Sequence, residues 1–197
     1  MAEMRIIAGA KRGMKLLGPG TKSSRPITDM VKESLFDVLY NYDLPKDKVV
    51  ADLFCGVGSL GLEALSRGAD FVTFIERNSK TIETLRKNIA KAGLFEKSKV
   101  MKANVFKIGA PLHPDYGRYD LIFIDPPYAE TDKGQRESAI GNLMDILLQQ
   151  TSPESIVVIR TRGSRNLLPR YGEFEEFQRR QWGTMAVTFY RKISNDE

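Results

Sequence analysis

Apolar residues along this chain follow two alternating patterns. Val49 to Cys55 (VVADLFC), Phe71 to Glu76 (FVTFIE), Tyr119 to Asp125 (YDLIFID) and Ser155 to Arg160 (SIVVIR) are short, mainly apolar runs that read as buried strands, with a weaker one at Val100 to Ala103. Between them the apolar positions recur at helical spacing. Thr28 is placed to cap a helix carrying Val31, Leu35, Val38 and Leu39 to about Tyr40, and Leu60 to Arg67 forms a helix stopped by Gly68. Ser79 opens a helix whose Ile82, Leu85 and Ile89 share one face until Gly93, and another spans Glu137 to Gln149. Phe174 to Arg180 and Met185 to Arg191 alternate around Trp182-Gly183-Thr184 as a terminal hairpin. Strands separated by helices predict an α/β fold, with a parallel sheet covered on both faces and antiparallel strands at its end.

The 197 residues, 42% of them hydrophobic, suffice for one core. Lysine and arginine outnumber aspartate and glutamate by 30 to 25, which suits a polyanionic partner. The distribution says more than the sum. Arg5, Lys11, Arg12, Lys15, Lys22 and Arg25 face only Glu3 in the first 25 residues and are interleaved with glycines, predicting a basic extension over 1–26 and a main domain over 27–197. A second basic group, Arg160, Arg162, Arg165 and Arg170, follows the fifth strand. A single cysteine, Cys55, and a single histidine, His113, cannot build a disulfide or the usual four-ligand zinc site, so no metal is expected. No run approaches the roughly 20 apolar residues that span a bilayer, and the first residues lack a signal peptide's apolar stretch. The expectation is a cytoplasmic protein that works as a monomer.

In an open parallel sheet, ligands bind beyond the carboxyl ends of the strands. Two strand ends stand out. The first is Asp52-Leu53-Phe54-Cys55-Gly56-Val57-Gly58-Ser59-Leu60-Gly61, with Glu76 closing the next strand. Gly56 and Gly58 would let backbone approach a ligand, and Gly61 would permit tight helix–strand contact. This spacing also satisfies the dinucleotide fingerprint, and Glu76 could hold the ribose of either a nicotinamide dinucleotide or S-adenosylmethionine. Asp52, where a dinucleotide site usually keeps an apolar residue, tilts the reading toward S-adenosylmethionine. The second strand end is Asp125-Pro126-Pro127-Tyr128. An exocyclic base amine has its lone pair delocalised into the ring. Two fixed acceptors, the Asp125 carboxylate and the Pro126 carbonyl, would bind its two hydrogens and favour a pyramidal nitrogen aimed at a methyl donor. Prolines keep those acceptors preorganised, and Tyr128 offers a ring on which an extracted base can stack. Cys55 reads as a small apolar residue and His113 as structural or exposed.

The stretch Asp52 to Ala69, joined to Asp125-Pro126-Pro127-Tyr128, resembles the RsmD-like family of bacterial small-subunit ribosomal RNA guanine-N2 methyltransferases. The resemblance extends to Arg5-Ile6-Ile7-Ala8-Gly9, Arg25-Pro26-Ile27-Thr28, Lys32-Glu33-Ser34-Leu35-Phe36 and Gly183-Thr184-Met185-Ala186-Val187. It implies a Rossmann-like class I S-adenosylmethionine-dependent methyltransferase fold, with a mostly parallel seven-stranded sheet, an antiparallel terminal strand and an N-terminal β-hairpin. It further implies methylation of guanine 966 of 16S ribosomal RNA at N2. Cofactor contacts would come from Asp52, Phe54, Cys55, Gly56, Gly58, Ser59, Glu76, Arg77, Asn104, Val105 and Asp125, with Phe54 to Ser59 around the methionine part, Glu76 on the ribose and Asn104 with Val105 on the adenine. Asp125, Pro126, Pro127 and Tyr128 would hold the guanine, while Arg5, Lys11, Arg12, Lys15, Lys22 and Arg25 would contact RNA in 16S ribosomal RNA or the small subunit. Asn104 stands where aspartate is common, and Arg160 where an acidic or neutral residue is expected.

Three other readings share parts of this pattern. Adenine-N6 methylation of a nucleic acid would use the same Asp-Pro-Pro-Tyr chemistry, and only the whole-chain likeness favours guanine. A nicotinamide-dependent oxidoreductase leaves that tetrapeptide without a purpose. A catalytically silent RNA-binding module would keep the fold and transfer no methyl group.

Overall fold

The computed structural model describes residues 4–18, 27–126 and 137–193. In chain order the elements are α1 (Asp29–Tyr40), β1 (Val49–Leu53), α2 (Ser59–Ser66), β2 (Phe71–Glu76), α3 (Ser79–Ala92), β3 (Ser98–Lys102), α4 (Val105–Ile108), β4 (Tyr119–Ile124), α5 (Glu137–Leu148), β5 (Thr151–Arg162), β6 (Arg170–Tyr171), β7 (Phe174–Trp182) and β8 (Met185–Lys192). Thr28 caps α1 through its hydroxyl, which accepts from the Val31 N–H. The cap of α3 is Asn78, one residue before Ser79, and Gly93 ends that helix in the left-handed region.

The strands form one sheet in the order β3-β2-β1-β4-β5-β8-β7-β6. Strands β1 to β5 are parallel and β8 runs antiparallel beside β5. The sheet exceeds the expected seven strands by the two-residue edge strand β6, too short to leave a periodic signal. Strand β5 extends from Thr151 to Arg162, so Arg160 lies within it rather than at its end. The four-residue helix α4 carries no repeat from which a helix could be inferred.

Alternation along the strands divides the core in two. Val50, Val72, Phe74, Leu121, Phe123 and Val158 pack with α1, α2 and α3 on one face. Ala51, Leu53, Ile75, Ile122, Ile124, Val157 and Ile159 pack with α4 and α5 on the other. Period-2 alternation buries both sets because helices cover both faces.

The described part of the basic N-terminal segment folds back on itself. Ile6 N–H donates to the Met14 carbonyl and Leu16 N–H to the Met4 carbonyl, on either side of a single bridge between Arg5 and Lys15. Its Ile6 and Leu16 enter the α1/α2/α3 core. Glu63, fully buried on α2, anchors the hairpin by accepting the N–H groups of Ile7 and Ala8 at 2.9 and 3.0 Å. The same carboxylate pairs with Arg67 at 2.9 Å and with Lys32 at 3.4 Å. Burial pulls the Lys32 ammonium below its ordinary value, opposed chiefly by the Glu63 charge, and Lys32 Nζ also donates to the Arg5 carbonyl at 2.7 Å. Asn88 on α3 accepts from the Leu17 N–H and donates to the carbonyls of Leu17 and Val57. Gly9 lies so close to α2 that a Cβ there would meet the Ser66 carbonyl oxygen at 1.8 Å.

Glu63→Ala should therefore destabilise the protein by about 3–5 kcal/mol, since it strands a buried lysine and two backbone donors. Urea unfolding of the variant checks this, and a loss below about 1 kcal/mol would contradict the anchoring role.

Candidate active site

Register lines the site up across the carboxyl ends of the strands. Leu53 pairs with Ile75 on one side and Ile124 on the other, and Ile124 pairs with Ile159. The residues one step further, Glu76, Phe54, Asp125 and Arg160, consequently lie along a single edge of the sheet. Backbone bonds hold this edge beyond the strands: Cys55 N–H donates to the Ile75 carbonyl, Asp125 N–H to Leu53 and Ala103 N–H to Glu76, at 3.1 to 3.2 Å. With β2 and β3 on one side of β1 and β4 on the other, the edge lies at the point where strand order reverses.

The glycine loop between β1 and α2 is braced from within. Asp52 is buried and its Oδ2 accepts the Gly61 N–H at 2.8 Å, tying the strand to the first turn of α2. Burial pushes Asp52 up to about 8, against the Gly61 hydrogen bond and with the Asp125 and Glu76 charges adding to the rise. Gly58 and Gly61 have no space for a side chain. A Cβ at Gly58 would sit 2.5 Å from Leu85, and one at Gly61 2.3 Å from Phe74. Gly58 thus serves packing as well as a φ of 88°, a role the ligand-approach reading did not anticipate. Gly56 is the opposite case, with open space where its Cβ would point.

Glu76 braces the loop from β2. One carboxylate oxygen accepts the Gly56 N–H at 3.2 Å and the other accepts the N–H groups of Arg77 and Asn78, both at 2.9 Å. Phe54 is half-buried and sits in the left-handed region at φ 56°, its ring 5.0 Å from that of Phe106. Phe106, which sequence reasoning missed, follows Asn104 and Val105 at the start of α4. Asn104 Oδ1 caps that helix by accepting the Phe106 N–H at 3.1 Å, and Val105 is buried in the core. Arg77 is exposed. Ser59 Oγ is buried without a hydrogen-bond partner at the start of α2. Burial pushes the Cys55 thiol well up, as suits an inert sulfur.

Asp125 is partly buried, its side chain 22% exposed, and its Oδ1 accepts from Arg160 Nε at 2.5 Å. Burial raises the Asp125 carboxyl, and the adjacent guanidinium opposes that rise. Pro126 is buried, and Pro127 and Tyr128 lie outside the described residues. Of the basic set, Arg12 and Lys15 are exposed and Lys11 is half-buried. Arg5 is exposed and pairs with Asp29 at 2.7 Å, while Lys22 and Arg25 lie outside the described residues. His113 packs its ring against Phe71 and Tyr116, away from these strand ends. Among the described residues no group of three or more histidine, cysteine or acidic side chains could hold a metal ion, and no helix is long and apolar enough to cross a membrane.

The fold is that of class I S-adenosylmethionine-dependent methyltransferases. A structure described as "Putative methyltransferase yhhF from Escherichia coli" superposes with a TM-score of 0.80 at 28% identity, covering 98% of this chain and 99% of that one. In sequence, "Putative rRNA methyltransferase YlbH" of Bacillus subtilis is 32% identical over 96% of this chain and 99% of its own length. "Ribosomal RNA small subunit methyltransferase D" of Escherichia coli K12 is 37% identical over 73% of this chain and 68% of its own. Residues 4–191 match the family described as Conserved hypothetical protein 95, and the chain belongs to this RsmD family.

Because folding raises the Asp52 carboxyl, the folded state holds a proton that the unfolded chain releases. Between about pH 4 and about pH 8 this lowers stability as pH rises. Asp52→Asn keeps an acceptor for the Gly61 N–H and should flatten that decline, measured as urea-unfolding free energy against pH. An unchanged slope in the variant would place the titration elsewhere.

Proposed function

We propose that this protein transfers a methyl group from S-adenosylmethionine to the exocyclic N2 amine of a guanine in small-subunit (16S) ribosomal RNA, at the guanine numbered 966. The observation that carries this reading is the alignment of Glu76, the open face of Gly56 and Asp125 on three neighbouring strand ends. The residues present fit the donor. Glu76 Oε2 keeps acceptor capacity beyond its single N–H contact, for ribose hydroxyls. The partnerless Ser59 Oγ at the start of α2 suits the methionine carboxylate. Phe54 and Phe106 supply apolar walls, and Asn104 Oδ1, already capping α4, retains a second lone pair for the adenine amine. When bound, S-adenosylmethionine supplies a methyl carbon already activated by positive sulfur, so this chain provides no nucleophile of its own.

The protein's share of the chemistry is orientation and charge. Asp125 and the Pro126 carbonyl accept the amine's two N–H groups, turning the nitrogen lone pair out of conjugation and toward the methyl carbon. Asp125 then takes the proton that the methylated nitrogen releases and passes it to solvent. Tyr128 stacks on the flipped base. The names of the bacterial relatives support ribosomal RNA as the substrate, and the family resemblance read from the sequence favours guanine over adenine. The basic N-terminal hairpin contacts RNA phosphates, held at a fixed angle by the α2 and α3 anchors rather than trailing as a loose arm. The enzyme acts in the cytoplasm, as a monomer.

Mapping the modified nucleotide in 16S ribosomal RNA from cells with and without the gene tests the assignment: a methyl group lost from guanine N2 supports it, and one lost from an adenine N6 replaces it. Asp125→Ala should reduce turnover on the order of 100-fold or more while S-adenosylmethionine still raises the melting temperature and NAD does not; full turnover in the variant rejects the acceptor role. Neutralising Lys11, Arg12 and Lys15 together should lower the slope of log affinity against log salt by about 2–3. An unchanged slope would remove this hairpin from the RNA surface.

A further inference from the structure

Arg160 departs from the residue type expected beside the site, and the structure gives it a partner. Ile159 pairs with Ile124 across the sheet, so the next residues, Arg160 and Asp125, stand side by side. Arg160 Nε donates to Asp125 Oδ1 at 2.5 Å, and its Nη1 lies 3.7 Å from Met185 Sδ on β8. The Arg160 side chain is 12% exposed, which keeps the pair from being strongly screened by water. Asp125 Oδ2 has no hydrogen-bond partner among the described residues. A surface ion pair that merely staples β4 to β5 needs no particular oxygen; here the pair engages one oxygen of the carboxylate that the proposed reaction depends on.

We infer that Arg160 is a positioning residue for methyl transfer, holding Asp125 by Oδ1 in its ionised form and so reserving Oδ2 for the target amine. The inference rests on the function proposed above. In the transfer, the nitrogen lone pair forms the new N–C bond as the C–S bond breaks with its electrons staying on sulfur. One N–H proton then leaves the nitrogen for Asp125 and reaches water. Only the carboxylate form can receive it.

The charged groups around Asp125 among the described residues are few. Arg160 of β5 is beside it, and Asp52 of β1 lies behind it with Glu76 of β2 next in line. Burial disfavours the Asp125 anion, and the Arg160 cation beside it offsets that cost. An acid becomes active above its own pKa, so losing this cation moves the acid limb of the activity profile to higher pH. An opposite charge at this range shifts a carboxyl by about 1–3 units.

The experiment measures kcat against pH with S-adenosylmethionine and small ribosomal subunits from cells lacking the gene, for the wild type, Arg160→Met, Arg160→Lys and Asp125→Ala. The expected result for Arg160→Met is an acid limb displaced upward by about 1–3 units, with roughly tenfold lower kcat per unit at pH values below it. The affinity for S-adenosylmethionine, read by thermal shift, stays within about twofold. Arg160→Lys restores the limb, because it returns the charge, with a lower plateau because it lacks the planar fork. If Asp125→Ala is inactive while both Arg160 variants keep the wild-type limb, the inference fails and the functional reading stands. If the wild type transfers no methyl group to these subunits, the reading falls and the inference with it.

Discussion

Cys55 N–H bonds to the Ile75 carbonyl and Asp125 N–H to the Leu53 carbonyl, from two residues beyond β1 and one beyond β4. The parallel ladder therefore continues into the loops, and the loops inherit its register. Everything at the site follows from this continuation. Glu76, Phe54, Asp125 and Arg160 belong to four separate segments of chain, yet their spacing is set by the interval between neighbouring strands, about 4.8 Å. Such a site needs no rearrangement to assemble its parts, which is what preorganised acceptors require.

Two buried carboxylates fix helix α2 to its surroundings. Asp52 ties the start of α2 to β1, and Glu63, in the middle of α2, gathers Lys32, Arg67 and the N-terminal hairpin. Their environments differ in kind. Asp52 has one backbone donor and acidic neighbours, so burial drives it toward the neutral form. Glu63 has two cations and two backbone donors, the set a buried anion needs to offset its lost hydration. Helix α2 thereby joins the surface proposed to meet RNA to the loop proposed to meet the methyl donor.

The layered architecture and both strand-end motifs were legible because they depend on local pattern. Short apolar runs bounded by glycines and prolines read as doubly covered strands, and Gly56-x-Gly58-x-x-Gly61 marks a glycine turn at a strand end. What remained hidden depends on contacts between distant segments. The separate duties of Gly58 and Gly56 are set by Leu85, which belongs to α3. Phe106 gains meaning only beside Phe54. Arg160 looked anomalous in a linear reading, because nothing in the chain order of β4 and β5 reveals which residues face each other until the register is known. The Glu63 network was invisible for the same reason: a glutamate in a helix reads as surface unless its partners are seen.

The strand order also fixes how the sheet ends. One border is β7, of which β6 covers only Phe174 and Glu175, leaving a rim with a register shift at Glu176/Gln178 and with Arg179 and Arg180; the other is β3, which carries Lys99 and Lys102. An irregular, charged rim and a lysine-bearing rim both make poor templates for the edge-to-edge pairing of a foreign strand. An open sheet of eight strands is thus shielded from self-templated growth without closing into a barrel, leaving its carboxyl edge open.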